Sequence, residues 1–212
     1  ISLNEVLQLE IPYSSKMIKA AWLSAGGSIQ AARDALKYKF GFNVGGGFHH
    51  AFPDHGEGFC AVNDIAIAVR RLQADKQIAT AMVIDLDVHH GNGTAAIFAQ
   101  DASVFTLSLH QQNVYPAEKP PSSLDVGLED NTLDRDYLAK LREALDEAFR
   151  RFQPDLVLYV AGADPYMEDQ LGGLLLTIGG LRERDRMVYQ AASSRGIPVT
   201  TMLAGGYAAR TA

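Results

Sequence analysis

The sequence predicts a three-layer α/β fold, a mainly parallel β-sheet flanked by helices, and three observations carry that expectation. Short apolar runs rich in β-branched residues recur at Ile78–Ile84, Val104–Leu109, Leu156–Ala161 and Val199–Leu203, as expected of strands buried on both faces. Helical patterns at Asp134–Phe152 and Gly180–Ser194 separate the last three, giving the strand–helix alternation of a parallel sheet. Each run also ends in residues capable of chemistry: Asp85, Asp87 and His89; Ser108 and His110; Asp164; and Gly205-Gly206-Tyr207. Open α/β sheets gather their sites beyond the carboxyl ends of the strands.

The remaining elements follow in order. Ser14–Trp22 and Ser24–Tyr38 carry helical apolar spacing, with Gly41 as the expected stop. Phe42–Val44 reads as an extended entry into the turn Gly45-Gly46-Gly47. Ala61–Gln73 reads as a helix, with Val62, Ile65, Ala66, Val69 and Leu72 on one stripe.

Composition narrows the class. With 212 residues and 47% hydrophobic content, positions 1–212 suffice for one substantial core and a single domain. A net charge of −6 argues against a direct nucleic-acid partner. The pairs Arg70-Arg71 and Arg150-Arg151 fall near helix ends, where cations complement the dipole. The single cysteine, Cys60, excludes an internal disulfide, fits a reducing cytoplasm and reads as a small buried hydrophobe. No apolar run reaches the roughly 18 residues needed for a membrane span, so no membrane partner is expected. The chain opens on Ile1 and closes on Ala212, soon after Tyr207, and a catalytic domain incomplete at both ends is the expectation.

The chemistry concentrates in two motifs. In Asp85-Leu86-Asp87-Val88-His89, alternation places Asp85, Asp87 and His89 on one side of an extended segment. Asp87, His89 and Asp164 make a set of two oxygen ligands and one nitrogen ligand around an open position, which suits a catalytic divalent metal. Without a cation, such clustered acids would raise one another's pKa values. The second motif, Gly45-Gly46-Gly47-Phe48-His49-His50, sets two imidazoles behind a turn that lets backbone approach a ligand closely. Each imidazole needs an orienting acceptor, and Asp85 and Asn92 are the candidates. A carboxylate favours imidazolium far more than an amide does, so the two histidines should differ in pKa. Tyr207, behind Gly205 and Gly206, is a candidate oxyanion donor. Gly58-Phe59-Cys60 and Tyr115-Pro116 place aromatics where a narrow channel would form.

The stretches GGGFHHAFPDHGEGFCAVND, VIDLDVHHGNGTAAIF, FTLSLH, YVAGADPYMEDQLGGL and AGGY, in that order, resemble the histone deacetylase family, with its acetoin-utilisation and acetylpolyamine amidohydrolase relatives. YPAEKPPSSLDVGL and the ending GGYAARTA look most like the class IV branch and its bacterial homologues. The resemblance implies an arginase/deacetylase-like fold around an eight-stranded sheet. It implies one zinc (or ferrous) ion on Asp87, His89 and Asp164, and a structural potassium ion against Asp85, Asp87, His89, Ser108 and Leu109. His50 then resembles the general base and acid, His49 its electrostatic partner near Asp85, and Tyr207 the tyrosine that polarises the acyl carbonyl. Phe59 and Tyr115 resemble the tunnel walls, with Gly58, Gly205 and Gly206 beside the substrate. The implied substrate is an acylated lysine or polyamine, cleaved at the amide. Two other readings stand beside it: an arginase-type binuclear manganese hydrolase, and a non-catalytic acyl-lysine-binding homologue. The former wants a carboxylate two positions after the metal histidine, where this chain has Gly91.

Overall fold

The computed structural model describes residues Ser2–Ala209. Six strands, β1 (Phe40–Asn43), β2 (Ala81–Asp85), β3 (Val104–Gln111), β4 (Leu124–Leu128), β5 (Leu156–Val160) and β6 (Val199–Met202), form one parallel sheet. Their order across the sheet is β1-β6-β5-β2-β3-β4. The helices are α1 (Leu3–Leu9), α2 (Ser15–Tyr38), α3 (Asp64–Ala74), α4 (Asn92–Phe98), α5 (Asp134–Arg151) and α6 (Ile178–Ser193).

Strand alternation splits the core into two layers. Met82 and Ile84 of β2, with Val157 and Tyr159 of β5, pack beneath Leu145 and Phe149 of α5 and Val188 of α6. Ala81 and Val83, with Leu158 and Val160, face Ala32 and Ala35 of α2 and Ile65, Val69 and Leu72 of α3. β2 and β5, the two strands whose ends carry most of the acids, are buried along their whole length. The resemblance implies eight strands, whereas the described residues make six.

Helix boundaries follow their caps. Ser14 starts α2 by accepting the Met17 N–H at 3.1 Å. The two helices expected at Ser14–Trp22 and Ser24–Tyr38 are one, because Ser24 reaches across to the Gly45 carbonyl instead of capping a new start. Gly41 is not the stop. Lys39 ends α2 in the left-handed region and donates its N–H to the Ala35 carbonyl at 2.7 Å. Gly41 lies within β1, where a Cβ would overlap the Ala31 backbone. α3 begins three residues later than Ala61 because Asn63 caps it, accepting the Ala66 N–H at 2.9 Å. Nothing in the apolar pattern marks α1, α4 or β4. β4 is an edge strand of mixed burial, and α4 starts at Asn92 with no side-chain cap. Among the described residues, no helix is long and apolar enough to cross a membrane.

Candidate functional site

The parallel sheet delivers the predicted metal ligands to one point. Beyond β2 the chain carries Asp87 and His89, and beyond β5 it carries Asp164. One ligand atom from each lies within 4.8 Å of the others, and all three residues are buried. Backbone donors hold the acids in place. The Val88 N–H reaches Asp164 Oδ1 at 2.9 Å, the His89 N–H reaches Asp87 Oδ1 at 3.0 Å, and the Gly205 N–H reaches Asp87 Oδ2 at 3.0 Å. A Cβ on Gly205 would overlap both carboxylates, so only glycine allows the last strand to close on them. From behind, the fully buried Arg184 donates to the Gly162 carbonyl at 2.5 Å and the Leu86 carbonyl at 3.4 Å, tying the two strand ends together.

This donor set fits a cation. Asp164 Oδ2 is buried and makes no hydrogen bond, although it lies 3.3 Å from His89 Nδ1. A desolvated, unpartnered carboxylate oxygen is costly, and a metal ion would satisfy it. Burial first and the Asp87 charge second push the Asp164 carboxyl upward. Burial would lower His89, yet the Asp164 and Asp87 carboxylates beside it prevail and raise it to about 10. A proton thus stands where two carboxylates call for positive charge.

The two histidines behind the glycine turn sit 4.0 Å apart, centroid to centroid, in different company. His49 Nδ1 lies 2.7 Å from Asp85 Oδ2, while His50 Nδ1 lies 2.7 Å from Asn92 Oδ1. Burial alone would lower His49, but Asp85 and then Asp87 outweigh it, and its pKa rises to about 9. His50, buried beside that positive neighbour and facing an amide, is held well below the ordinary histidine range. The pKa separation expected from acceptor type is present.

A cavity of about 410 Å³ opens onto this cluster. His49, His50, Asp87 and His89 form its floor, with Gly58, Phe59, Tyr115, Gly205 and Tyr207 around it. Gly206 adjoins them in the left-handed region. The Tyr207 backbone is clamped, its N–H donating to Asp169 Oδ2 and its carbonyl accepting from Gln170 Nε2, both at 2.7 Å. Burial, then the Asp87 and Asp164 charges, keep its phenol protonated by raising its pKa. Helix α1 braces the opposite wall, as the Gly58 and Phe59 N–H groups donate to the Gln8 and Leu9 carbonyls at 3.1 and 3.0 Å. Cys60 is buried, and burial pushes its thiol up.

Of the residues assigned to potassium, Asp85 and Ser108 are register partners on β2 and β3, and Leu109 follows in the core. Asp85 Oδ1 accepts the Asp87 N–H at 3.2 Å. Sequence reasoning missed several supports. Asp64 gathers the Gly47 and Phe48 N–H groups at 3.1 and 2.7 Å and so shapes the histidine turn. Glu57 bonds both Asn92 and Tyr115. Its place inside the quoted stretch GEGFC was the available signal. A second cluster was also missed: His90, His110 and Asp125 likewise bring ligand atoms within 4.8 Å of one another.

Known proteins resemble this chain in sequence and in fold. A family model described as "Histone deacetylase domain" matches residues 2–212. An uncharacterized protein of Picosynechococcus sp. is 40% identical over 201 residues, covering 95% of this chain and 67% of the relative. Histone deacetylase 2 of Arabidopsis thaliana is 38% identical over 185 residues, 86% of this chain and 48% of its own length. The crystal structure of a histone deacetylase homologue complexed with SAHA superposes with a TM-score of 0.84 at 26% identity, covering 97% of this chain and 63% of that one.

Proposed function

The chain belongs to the histone deacetylase family, and on that premise we propose that it takes part in metal-dependent hydrolysis of an acyl amide, releasing an amine and a carboxylic acid. The substrate class is an acetylated or longer-acylated lysine or polyamine. The observation that carries this reading is convergence at one end of the sheet: a buried carboxylate oxygen without a hydrogen bond at Asp164 and, on the cavity beside it, a neutral histidine at His50 and a protonated phenol at Tyr207.

Asp87, His89 and Asp164 would hold one zinc or ferrous ion, which when bound supplies Lewis acidity toward the acyl carbonyl and acidifies water at the site. The rest falls to the chain's own groups. His50 makes no hydrogen bond at Nε2 among the described residues, so it can take the proton of the attacking water and return it to the leaving amine. Tyr207 donates its O–H to the developing oxyanion. Burial first, and then the positive charge of His49, itself held as imidazolium by Asp85, keep His50 neutral. Phe59 and Tyr115 would line the acyl chain's path, with the Gly58 carbonyl facing the amide nitrogen. A potassium ion at Asp85, Ser108 and the neighbouring carbonyls would be structural.

The test is hydrolysis of a fluorogenic acetyl-lysine peptide and of an acetylated polyamine by the full-length protein, before and after treatment with a chelator. Turnover that chelation abolishes and zinc restores supports the reading. Tight peptide binding without turnover would support an acyl-lysine-binding homologue in its place.

A further inference from the structure

The Asn92 amide stands between His50 and a carboxylate that the reaction scheme leaves unused. Its Oδ1 lies 2.7 Å from His50 Nδ1, and its Nδ2 donates to Glu57 Oε1 at 2.5 Å. The same Glu57 oxygen accepts from the Tyr115 phenol at 2.7 Å. Its other oxygen lies 3.3 Å from His55 Nε2. The Glu57 side chain is only 18% exposed, and its carbonyl accepts the Cys60 N–H at 2.8 Å, which pins the turn that carries it.

The chemical asymmetry of this chain of contacts has a consequence. A carboxylate offers acceptors only, whereas an amide offers one accepting and one donating end. With Glu57 on one side, Asn92 must turn its NH₂ toward the carboxylate and its carbonyl toward His50. A carbonyl can only accept, so the proton of a neutral His50 ring must sit on Nδ1, leaving the Nε2 lone pair for the cavity. A residue at position 57 that could also donate would allow the amide to flip. The flipped amide would draw the proton to Nε2 and block the base.

We propose that Glu57 is a positioning residue for the reaction: by fixing the orientation of the Asn92 amide, it selects the His50 tautomer whose Nε2 is free to accept a proton. The inference rests on the reading of His50 as the base. It also explains why an amide suffices as His50's partner here, since an outer carboxylate orients it.

The test is Glu57→Gln, nearly the same shape, in the full-length, metal-loaded protein. The His50 tautomer is read from the ¹⁵N shifts of its two ring nitrogens, assigned by difference against His50→Ala. The wild type should show Nδ1–H alone. Glu57→Gln should show both tautomers, with kcat lower on the order of tenfold, a usual cost of losing an outer partner, and KM unchanged. Tyr115→Phe removes the other contact of Glu57 Oε1 and should leave the tautomer intact. In an Asn92→Asp background, where a carboxylate holds the Nδ1 proton directly, adding Glu57→Gln should no longer move the tautomer, read at a pH high enough to keep the His50 ring neutral. A pure Nδ1–H ring with unchanged kcat in Glu57→Gln would overturn the proposal. So would a Tyr115→Phe tautomer shift equal to that of Glu57→Gln, or a Glu57→Gln effect that persists with Asp at position 92. A wild type without turnover would sink the functional reading alone, because the tautomer comparison needs no substrate.

Discussion

Two clusters of histidine and aspartate lie side by side among the described residues, begun by the adjacent residues His89 and His90, and under the function proposed above only one of them would hold the metal. Around His90 both Asp125 oxygens and one nitrogen of each histidine already have hydrogen-bond partners. His90 Nε2 meets Asp125 Oδ1 at 3.1 Å, Asp125 Oδ2 accepts the Ser122 N–H at 2.8 Å, and His110 Nδ1 meets Ser108 Oγ at 2.9 Å. His90 Nδ1, buried without a hydrogen bond, is on the far edge of the ring from Asp125. Asp125 also keeps a third of its side chain in solvent, where hydration replaces any need for a cation. Around His89, both acids are buried, one oxygen is left without a hydrogen bond and a cavity opens alongside. Ligand type and spacing are therefore insufficient to identify a metal site. Leftover valence in a dry place, next to a cavity, is what separates the two.

The comparison is broken most easily by removing one acid from each cluster. Asp164→Ala should abolish turnover, because a three-ligand site cannot lose a ligand and keep its cation tightly. Asp125→Ala should leave turnover near that of the parent. Rates of the two variants on one acyl-lysine peptide decide it, and comparable losses would count against the distinction drawn between the clusters.

Within the favoured cluster the two adjacent imidazoles should also separate. His50→Ala is expected to retain its metal and lose roughly 10²–10⁴ in turnover, the usual contribution of a positioned acid or base. His49→Ala should lose less, since its partner Asp85 assigns it an electrostatic role. If His49→Ala proves the more damaging at equal metal content, the roles are reversed.

Tyr207→Phe comes next. Its phenol is expected to serve only the oxyanion, so the loss should be about 2.7–4 kcal/mol of transition-state stabilisation, comparable with other oxyanion donors. Unaltered kinetics would make Tyr207 a packing residue.

The smallest effect concerns pH. His49 is raised from its ordinary 6.5 to about 9 by Asp85 and Asp87 acting against burial. Because its folded pKa lies above the unfolded one, the stability it contributes is complete below about pH 6.5 and is lost as pH rises through about 9. In metal-free protein, histidine NMR should show His49 protonated until about pH 9, and Asp85→Asn should move that midpoint down. A His49 midpoint at its ordinary value would show that Asp85 does not hold it.

Much of this site is readable in the chain because strands end where chemistry begins. Asp85, Asp87, His89 and Asp164 follow apolar runs, and a parallel sheet sends those ends to one edge. The acceptors Asp85 and Asn92 are likewise readable as candidates, since both lie in the stretch that carries Asp87 and His89. Other features were hidden for physical reasons. A glutamate between glycines, as Glu57 is, looks like a solvated loop until the fold carries Asn92 and Tyr115 to it from 35 and 58 positions away. Ser24 has the chemistry of a helix cap but uses it on Gly45. β4, an edge strand with Asp125 and Gly127 in it, lacks the apolar continuity of the strands buried on both faces.

The central claim, that leftover valence rather than ligand count marks the metal site, is tested most directly by counting metal. Full-length protein reconstituted with zinc and freed of loosely held ions should carry one zinc per chain by elemental analysis. Asp125→Ala should also carry one, and Asp164→Ala none. Two zinc ions in the wild type, or a metal count that falls in Asp125→Ala and survives in Asp164→Ala, would contradict the account.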